Sequence, residues 1–208
     1  MRKTSLSEER NLKKKKFNTP FLSKLNFIRK LNRGAFSKVF VAEDKKYGKM
    51  AVKFLKSNTL NIFEREVGAL SALKKYKGFP YLYSSGKEDE SYFIAMSLLG
   101  DDLKKIFERK SYFKFNQKTI VHIAHQMIKR LEAVHLEGFL HCDLKPENIM
   151  MDRSKDPFKK NHLYLVDFGL SCKWAQPNGE HIPFAKTGEL IGTLNFCSVN
   201  AMMGFQLS

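Results

Sequence analysis

Three side chains that can act on a phosphate group lie within six residues of the sequence, Asp143, Lys145 and Asn148, between the apolar flanks of FLHCDLKPENIM. A second apolar stretch, LYLVDFGL, carries another acid, Asp167, near its end. Phosphoryl transfer requires a carboxylate that orients the attacking hydroxyl and accepts its proton, a lysine for the transferring phosphate, and oxygen ligands for Mg²⁺. Asp143, Lys145, and the pair Asn148 and Asp167 supply these groups in that order, so the spacing predicts phosphoryl transfer.

A lysine and a glutamate closer to the N-terminus extend this set. Lys53 stands in the apolar segment AVKF, a predicted strand, and Glu66 lies in the helical pattern that follows it. A strand lysine that grips nucleotide phosphates and a helix glutamate that orients it belong to the same chemistry. Taken singly, Lys53 could be an ordinary solvated lysine, Glu66 a solvated helix acid, and Asp143 and Asp167 loop residues. Their joint order favours the phosphoryl-transfer site.

Two other sites are suggested by short patterns and are disfavoured. His141 and Cys142 are adjacent, which could indicate a cysteine nucleophile activated by a histidine. Neighbouring residues seldom point at one another, however, and no upstream histidine motif supports such a site. His122 and His125 have the spacing of a metal pair on a helix, but no third ligand stands nearby. Both histidines are interpreted as ordinary helix residues.

The elements that must position these residues follow from hydrophobic periodicity. LNFIRKLNRGAFSKVFVAED predicts two strands joined by a turn at residues 32–36, and KMAVKFLK predicts a third strand of a small antiparallel sheet. NIFEREVGALSALKKY predicts a helix that begins with Asn61 and Glu64 as a capping box. SYFIAMSLL predicts one more strand before Gly100.

Helices dominate the second half. DDLKKIFERK begins with acids and ends with bases, as the helix dipole favours, and QKTIVHIAHQMIKRLEAVHLEG predicts a long amphipathic helix that ends at Gly138. The predicted fold class is α+β with two lobes, in which residues 1–20 form a basic disordered tail, 21–98 a sheet with one helix, and 99–208 a mostly helical lobe. The predicted apolar face of the long helix comprises Ile120, Ile123, Ala124, Met127, Ile128, Leu131 and Val134.

Composition limits the function classes. The chain has 208 residues, 43% of them hydrophobic, which is enough for a sizeable core. No apolar run approaches a membrane span and the first residues lack a secretory signal, so an intracellular protein is expected. The three cysteines form neither a disulfide framework nor a zinc motif. A net charge of +16 would attract acidic peptides, nucleotides, nucleic acid or anionic lipid alike.

The motif order resembles the eukaryotic protein kinase fold and, within it, the casein kinase 1 family. The family-level likeness rests on SLLGDDL, GFP, HIP and GTLNFCSVNAMMGFQ, and it extends from about residue 25 to the last residue. It implies ATP as the phosphate donor, Mg²⁺, and protein serine or threonine as the acceptor, in acidic sequence context. The serine/threonine assignment rests on Lys145, and Thr193 resembles the activation-segment threonine that contacts both Lys145 and Asp143.

The same resemblance implies which residues surround the nucleotide. Met96 is the implied gatekeeper, and Leu99 is the implied hinge residue whose backbone meets adenine. The implied apolar walls around the base are Val39, Ala51, Met150 and Val166.

The sequence departs from the family pattern over the phosphates. Asn32 and Ser37 stand where the first and third glycines of the glycine-rich loop belong, and only Gly34 is in place. Asparagine tolerates positive φ and serine is small, so the expectation is a loop that still closes, with a weaker hold on ATP.

Two further departures concern anion recognition. Cys142 occupies the position where the family carries an arginine, and a thiol cannot make the bidentate pair of a guanidinium with phosphate. Ala185 replaces an arginine that reads substrates already phosphorylated, with Lys186 beside it. Activation by loop phosphorylation through residue 142 is therefore not expected, and a preference for primed substrates is in question.

Alternatives from other classes remain open at this point. The resemblance stops at Ser208, before several helices of a kinase domain, so the expectation is either a fragment of a longer product or a naturally short and inactive chain. The alternative to an active kinase is a truncated pseudokinase, or a regulatory module that binds nucleotide or a partner without turnover. A basic nucleic-acid-binding protein would explain the charge but not the motif order.

Overall fold

The computed structural model describes residue 12 and residues 15–34, 37–109, 115–154, 161–176 and 178–205. The chain divides into two compact units. The first comprises Met1–Val67 and Tyr81–Leu98, and the second comprises Gly68–Pro80 and Leu99–Ser208. The observed mixture of an antiparallel sheet with helices confirms the predicted α+β class.

A five-stranded antiparallel sheet forms most of the first unit, with the strand order β1-β2-β3-β5-β4. Periodicity predicted four of the five strands. It missed β4 because the sequence LYSSGKE is mostly polar and does not alternate. The strands are β1 (Asn26–Arg33), β2 (Ser37–Asp44), β3 (Gly48–Lys56), β4 (Leu82–Glu88) and β5 (Ser91–Ser97).

The two faces of this sheet have different roles. Val39 of β2 pairs with Lys53 of β3, and Ala51 of β3 pairs with Met96 of β5, so these four residues lie on one face. The opposite face carries the core that holds the sheet together. Its buried members are Leu22, Phe27, Phe40, Ala42, Met50, Val52, Phe93 and Ala95.

The segment before β1 is packed against this core, which corrects one expectation. Phe17 stacks on Phe27 with ring centroids 5.1 Å apart, and the backbone N–H groups of Asn18 and Thr19 each donate to the Glu88 carboxylate at 2.8 Å. Glu88 is buried, which raises its pKa, but the hydrogen bonds from Thr19 and Asn18 outweigh burial and lower the pKa below its ordinary value. The expectation of disorder to about residue 20 is wrong for residues 15–20, and the rest of the tail lies outside the described residues except residue 12.

Helix α1 (Leu60–Leu73) follows β3 through a short 3-10 helix, Ser57–Thr59. Asn61 lies inside the helix, so the predicted capping box is wrong. The chain already turns before Asn61, where the Thr59 hydroxyl donates to the Lys56 carbonyl at 2.6 Å. Phe63 of α1 stacks on Tyr92 of β5 with centroids 4.8 Å apart, which fixes the start of the helix on the sheet.

Within the part of the chain that the structure describes, three α-helices lie wholly in the second unit. An N-cap side chain begins each of them by accepting a backbone N–H, as expected for Asp, Asn and Ser at this position. Among the residues that the structure describes, no helix has the length and apolar character to span a membrane. The helices are α2 (Leu103–Glu108), α3 (Gln117–Leu136) and α4 (Val199–Met202).

The buried face of α3 differs from the predicted apolar face. Ile128 is 67% exposed, while Gln126 and Arg130 are each only 7% exposed. Gln126 accepts from the Leu163 N–H at 3.0 Å, and Arg130 Nη2 donates to the Leu163 carbonyl at 3.1 Å. The prediction failed because these polar side chains satisfy backbone groups of a distant strand. The exposed members of the predicted face are Ile120, Ala124 and Ile128, and the buried ones are Met127 and Val134.

Two short antiparallel strand pairs place the catalytic candidates of the second unit. Strand β7 (Ile149–Met151) pairs with β8 (Leu163–Leu165), and β6 (Phe139–Leu140) pairs with β9 (Cys172–Lys173). Asp143 follows β6, Asn148 immediately precedes β7, and Asp167 follows β8. A small apolar cluster joins α2, α3 and the β7–β8 pair through Leu103, Met127, Ile149 and Leu163.

Candidate active site

Asp143 is the centre of a hydrogen-bonded network in the second unit. Its Oδ1 accepts from the Thr193 hydroxyl at 2.6 Å, and its Oδ2 lies 2.6 Å from Lys145 Nζ. The same Oδ2 accepts from Asn148 Nδ2 at 3.0 Å. Asp143 is only 8% exposed, so these contacts hold its carboxylate in one orientation.

Lys145 and Thr193 come from segments far apart in sequence and meet at this carboxylate. Lys145 Nζ donates to Thr193 Oγ1 at 2.7 Å while it also contacts Asp143. Thr193 is set in place by Gly192, which has φ +102°, and a Cβ added there would lie 2.7 Å from the carbonyl oxygen of Cys142. Only glycine fits this approach, so residue 192 lets Thr193 lie beside the segment that carries Cys142 and Asp143. Sequence reasoning had not singled out Gly192.

Asn148 and Asp167, the predicted metal ligands, lie at the same end of the β7–β8 pair. Asn148 immediately precedes β7, and its carbonyl accepts from the Val166 N–H at 3.0 Å, one residue before Asp167. The Asn148 amide donates to the carbonyl and to the carboxylate of Asp143 at 2.8 and 3.0 Å, which turns its oxygen away from Asp143. Within the described ranges, no group of three or more His, Cys, Asp or Glu side chains could hold a metal ion.

His141 connects the loop that carries Asp143 to the segment that carries Asp167. Its Nδ1 accepts from the Asp143 N–H at 3.3 Å, and its Nε2 lies 3.0 Å from the Val166 carbonyl, so Nε2 carries the proton. Burial lowers the pKa of His141 below its ordinary value, which keeps the ring neutral. Its ring also meets Phe168 edge-on, with centroids 4.8 Å apart. The sequence placed His141 beside the candidate aspartate without indicating this structural role.

Strained backbone is concentrated beside the two acids. Among the described residues, only Asp89, Cys142 and Asp167 combine a side chain with positive φ. Cys142 has φ +63° and Asp167 has φ +65°. A residue other than glycine in this region costs of order 1–3 kcal/mol, and such residues cluster at functional sites. Cys142 therefore directly precedes the predicted catalytic Asp143, and Asp167 is itself a predicted metal ligand.

In the first unit, Lys53 and Glu66 form a buried ion pair. Lys53 Nζ lies 2.7 Å from Glu66 Oε2, and the two residues are 8% and 2% exposed. β3 provides the lysine and α1 provides the glutamate, as the sequence predicted for these positions. The pair orients the ammonium group on the face of the sheet that also carries Val39, Ala51 and Met96.

The ends of β1 and β2 lie close together. The Gly34 N–H donates to the Ser37 carbonyl at 2.9 Å, and Asn32 pairs with Val39 within the β1–β2 ladder. Neither Asn32 nor Gly34 is among the described residues with positive φ. Tolerance of positive φ therefore does not explain the asparagine. Residues 35 and 36 between the two strands lie outside the described residues.

Leu99, Met150 and Val166 lie in the second unit and are half-buried. Met150 forms an isolated β-bridge with Asp102, and the Gly100 N–H donates to the Met151 carbonyl at 2.9 Å. The segment that begins at Leu99 is therefore held against β7.

The segment after HIP carries no arginine at residue 185, as the sequence states. Ala185 is exposed, and Lys186 Nζ lies over the ring of Phe205, 5.5 Å from its centroid. Phe205 also stacks on Phe184 with centroids 5.0 Å apart. Lys186 is thus the cation that this segment presents next to Ala185.

One motif of the family likeness, GFP at residues 78–80, has a clear structural reason. Gly78 has φ +92°, and a Cβ added to it would lie 2.3 Å from Nε of the buried Arg130. Its carbonyl accepts from the Leu165 N–H at 2.9 Å. Phe79 packs on Phe168 with centroids 6.0 Å apart. This motif therefore supports the strand that leads to Asp167.

The sequence profile of the protein kinase domain matches residues 25–202. The matched range contains every candidate site residue described above.

Proposed function

The chain belongs to the protein kinase family, and we propose that it is a serine/threonine kinase of casein kinase 1 type that transfers the γ-phosphate of ATP to protein hydroxyls. The observation that carries this proposal is the network of Asp143, Lys145, Asn148 and Thr193. It brings an ammonium group, an amide and a hydroxyl each to within 3.0 Å of one carboxylate, that of Asp143.

Asp143 is the proposed residue that orients the acceptor hydroxyl and takes up its proton. Positioning and electrostatic stabilisation account for most of the catalysis in phosphoryl transfer, so a carboxylate held by three partners suits this role. Lys145, in contact with Asp143, is proposed to stabilise the negative charge of the transferring phosphate. Thr193 is proposed to keep Asp143 and Lys145 in register.

Mg²⁺ fits the donor set that the second unit offers. Mg²⁺ prefers hard oxygen ligands and is usually held by one or two carboxylates together with substrate phosphates and water. The oxygen of Asn148, turned away from Asp143, and the exposed carboxylate of Asp167 are the proposed protein ligands. When bound, the ion would neutralise charge on the phosphate oxygens.

Lys53 is the proposed contact for the nucleotide phosphates. A lysine that is 8% exposed keeps its charge in a low-dielectric setting only with a counter-charge, and Glu66 supplies it at 2.7 Å. The proposed apolar contacts of adenine in the first unit are Val39, Ala51 and Met96, which share the face of the sheet that carries Lys53.

Two features support the finer assignment to casein kinase 1 type and to acidic protein substrates. The first is the set of sequence motifs named above, including HIP, where the Ile182 N–H donates to the Trp174 carbonyl at 2.9 Å. The second is the net charge of +16, which favours acidic partners.

The test is transfer of radiolabelled phosphate from Mg-ATP to casein, and to three matched acidic peptides with serine, threonine or tyrosine as the only acceptor. We expect labelling of the serine and threonine peptides and little of the tyrosine peptide. Asp143→Asn should lower the transfer rate by about 100-fold or more because it removes the proton acceptor. An equal rate for the tyrosine peptide would contradict the serine/threonine assignment.

The same experiment separates a kinase from a nucleotide-binding module without turnover. The altered glycine positions at Asn32 and Ser37 are the observation that favours the second candidate. Saturable binding of ATP with no transfer to casein or to the peptides would support that candidate. Transfer that disappears in Asp143→Asn would exclude it.

A further inference from the structure

Two of the three cysteines place their sulfur atoms side by side in the second unit. Sγ of Cys142 lies 3.4 Å from Sγ of Cys172, although the two residues are 30 positions apart in sequence. The β6–β9 ladder holds the two segments together, since Leu140 pairs directly with Cys172. Both cysteines are half-buried, so small solutes can reach them. The contact is a product of the fold, and neither cysteine is part of the phosphoryl-transfer network.

We propose that Cys142 and Cys172 form a redox site, which a hydroperoxide closes to a disulfide and a dithiol reopens. Two thiols whose sulfur atoms already lie side by side at the end of a strand pair need no rearrangement of the chain topology to be joined. The third cysteine, Cys197, donates its thiol hydrogen to the Leu194 carbonyl at 3.2 Å and is not part of this pair.

The chemistry of closure requires one oxidant molecule. The thiolate of one cysteine attacks the terminal oxygen of the hydroperoxide, the O–O bond breaks, and an alcohol or water leaves, so this cysteine becomes a sulfenic acid. The second thiolate then attacks that sulfur, the S–S bond forms, the S–O bond breaks, and hydroxide leaves as water. Two thiols are oxidised and one hydroperoxide is reduced. A dithiol reduces the bond again by thiol–disulfide exchange and is itself oxidised to a disulfide.

Closure has a consequence for the neighbouring network. The sulfur atoms must approach by about 1.4 Å to reach the length of a disulfide bond. Cys142 precedes Asp143 directly, has φ +63°, and its carbonyl faces Gly192, the residue before Thr193. Movement of Cys142 is therefore transmitted to Asp143 and Thr193. We expect the oxidised form to transfer phosphate more slowly, and this part of the inference rests on the proposed function.

The first measurement does not depend on activity. The reduced protein is treated with hydrogen peroxide, alkylated and digested, and its peptides are identified by mass spectrometry. We expect a linked pair of peptides that contain Cys142 and Cys172, with a mass lower by two hydrogen atoms than the sum of the two thiol peptides. Dithiothreitol should release both. Cys197→Ser should form the same link, and Cys142→Ser and Cys172→Ser should not.

Two outcomes of this measurement would overturn the redox site. One is equal alkylation of all three cysteines after peroxide. The other is a link that involves Cys197 in place of either partner.

The second measurement is phosphate transfer by the peroxide-treated protein. We expect a loss of about tenfold or more that dithiothreitol restores, since a misplacement of about 1 Å can cost on the order of 100-fold. Cys197→Ser should lose activity in the same way, and Cys172→Ser should be insensitive to brief peroxide treatment. An unchanged rate in fully linked protein would overturn the effect on transfer. A reduced protein without any transfer would count against the proposed function, and the peptide map alone would then decide the redox site.

Discussion

The hydroxyl of Thr193 donates a hydrogen bond of 2.6 Å to Asp143 Oδ1 across 50 residues of sequence. The oxygen of the same hydroxyl accepts from Lys145 Nζ at 2.7 Å. A single hydroxyl group therefore connects the proposed proton acceptor with the proposed phosphate-binding lysine. The relationship can be tested by a change that keeps the shape of the side chain and removes the hydroxyl.

Thr193→Val should lower kcat by about 10- to 100-fold, because Asp143 and Lys145 lose the group that holds them in register. The KM for ATP should change little, since Thr193 is not a proposed nucleotide contact. Steady-state kinetics with casein measures both. Thr193→Ser is the matched control, because it retains the hydroxyl, and it should keep most of the activity. Equal losses in the two variants would mean that the hydroxyl is not the group that matters.

Lys53→Met should lower the free energy of unfolding by about 3–5 kcal/mol as well as abolish transfer. The carboxylate of Glu66, only 2% exposed, loses the ammonium group that lies 2.7 Å away. The double variant Lys53→Met with Glu66→Leu should recover most of this stability because it removes both charges, yet it should remain inactive.

Chemical denaturation and the transfer assay measure the two effects of these variants separately. A Lys53→Met protein as stable as the parent would show that the ion pair is not energetically important.

Gly78→Ala should destabilise the protein by at least about 2 kcal/mol, because residue 78 has φ +92° and a Cβ would lie 2.3 Å from Arg130 Nε. Gly68→Ala is the matched control. Gly68 lies inside α1 with nothing within 4 Å of an added Cβ, so alanine there should stabilise by up to about 1 kcal/mol. Thermal and chemical unfolding of the two variants should shift in opposite directions, and a shift in the same direction would contradict the steric explanation.

The stability of the protein should fall as the pH is lowered from about 7 through about 6.5, because of His141. Burial lowers its pKa in the folded state below the ordinary value of 6.5. As the pH falls through about 6.5, the unfolded state binds the proton before the folded state does, so folding loses at most about 1.4 kcal/mol per pH unit from this group. The contribution is present in full above the unfolded pKa.

His141→Gln removes this titration while it keeps a donor and an acceptor. Denaturation curves across the same pH range should then have a shallower pH dependence than those of the parent protein. An unchanged slope would assign the pH dependence to other groups.

The sequence alone determined the α+β class, four of the five strands of the first unit, and the positions of α1 and α3. These features depend on local periodicity, which a short stretch of chain carries by itself. It also predicted that Lys53 stands on a strand and Glu66 on a helix, and these two meet at 2.7 Å. The roles of these and the other site residues stay predictions.

Tertiary structure alone decided which side of α3 is buried and what holds Asp143. Gln126 and Arg130 are inside because Leu163, more than 30 residues away, needs partners for its backbone N–H and carbonyl. Likewise the contacts of Asp143 with Thr193, and of Cys142 with Cys172, join segments 50 and 30 residues apart. Periodicity assigns a polar side chain to the surface by default. Whether it is buried depends on a hydrogen-bond partner that only the folded chain brings within reach.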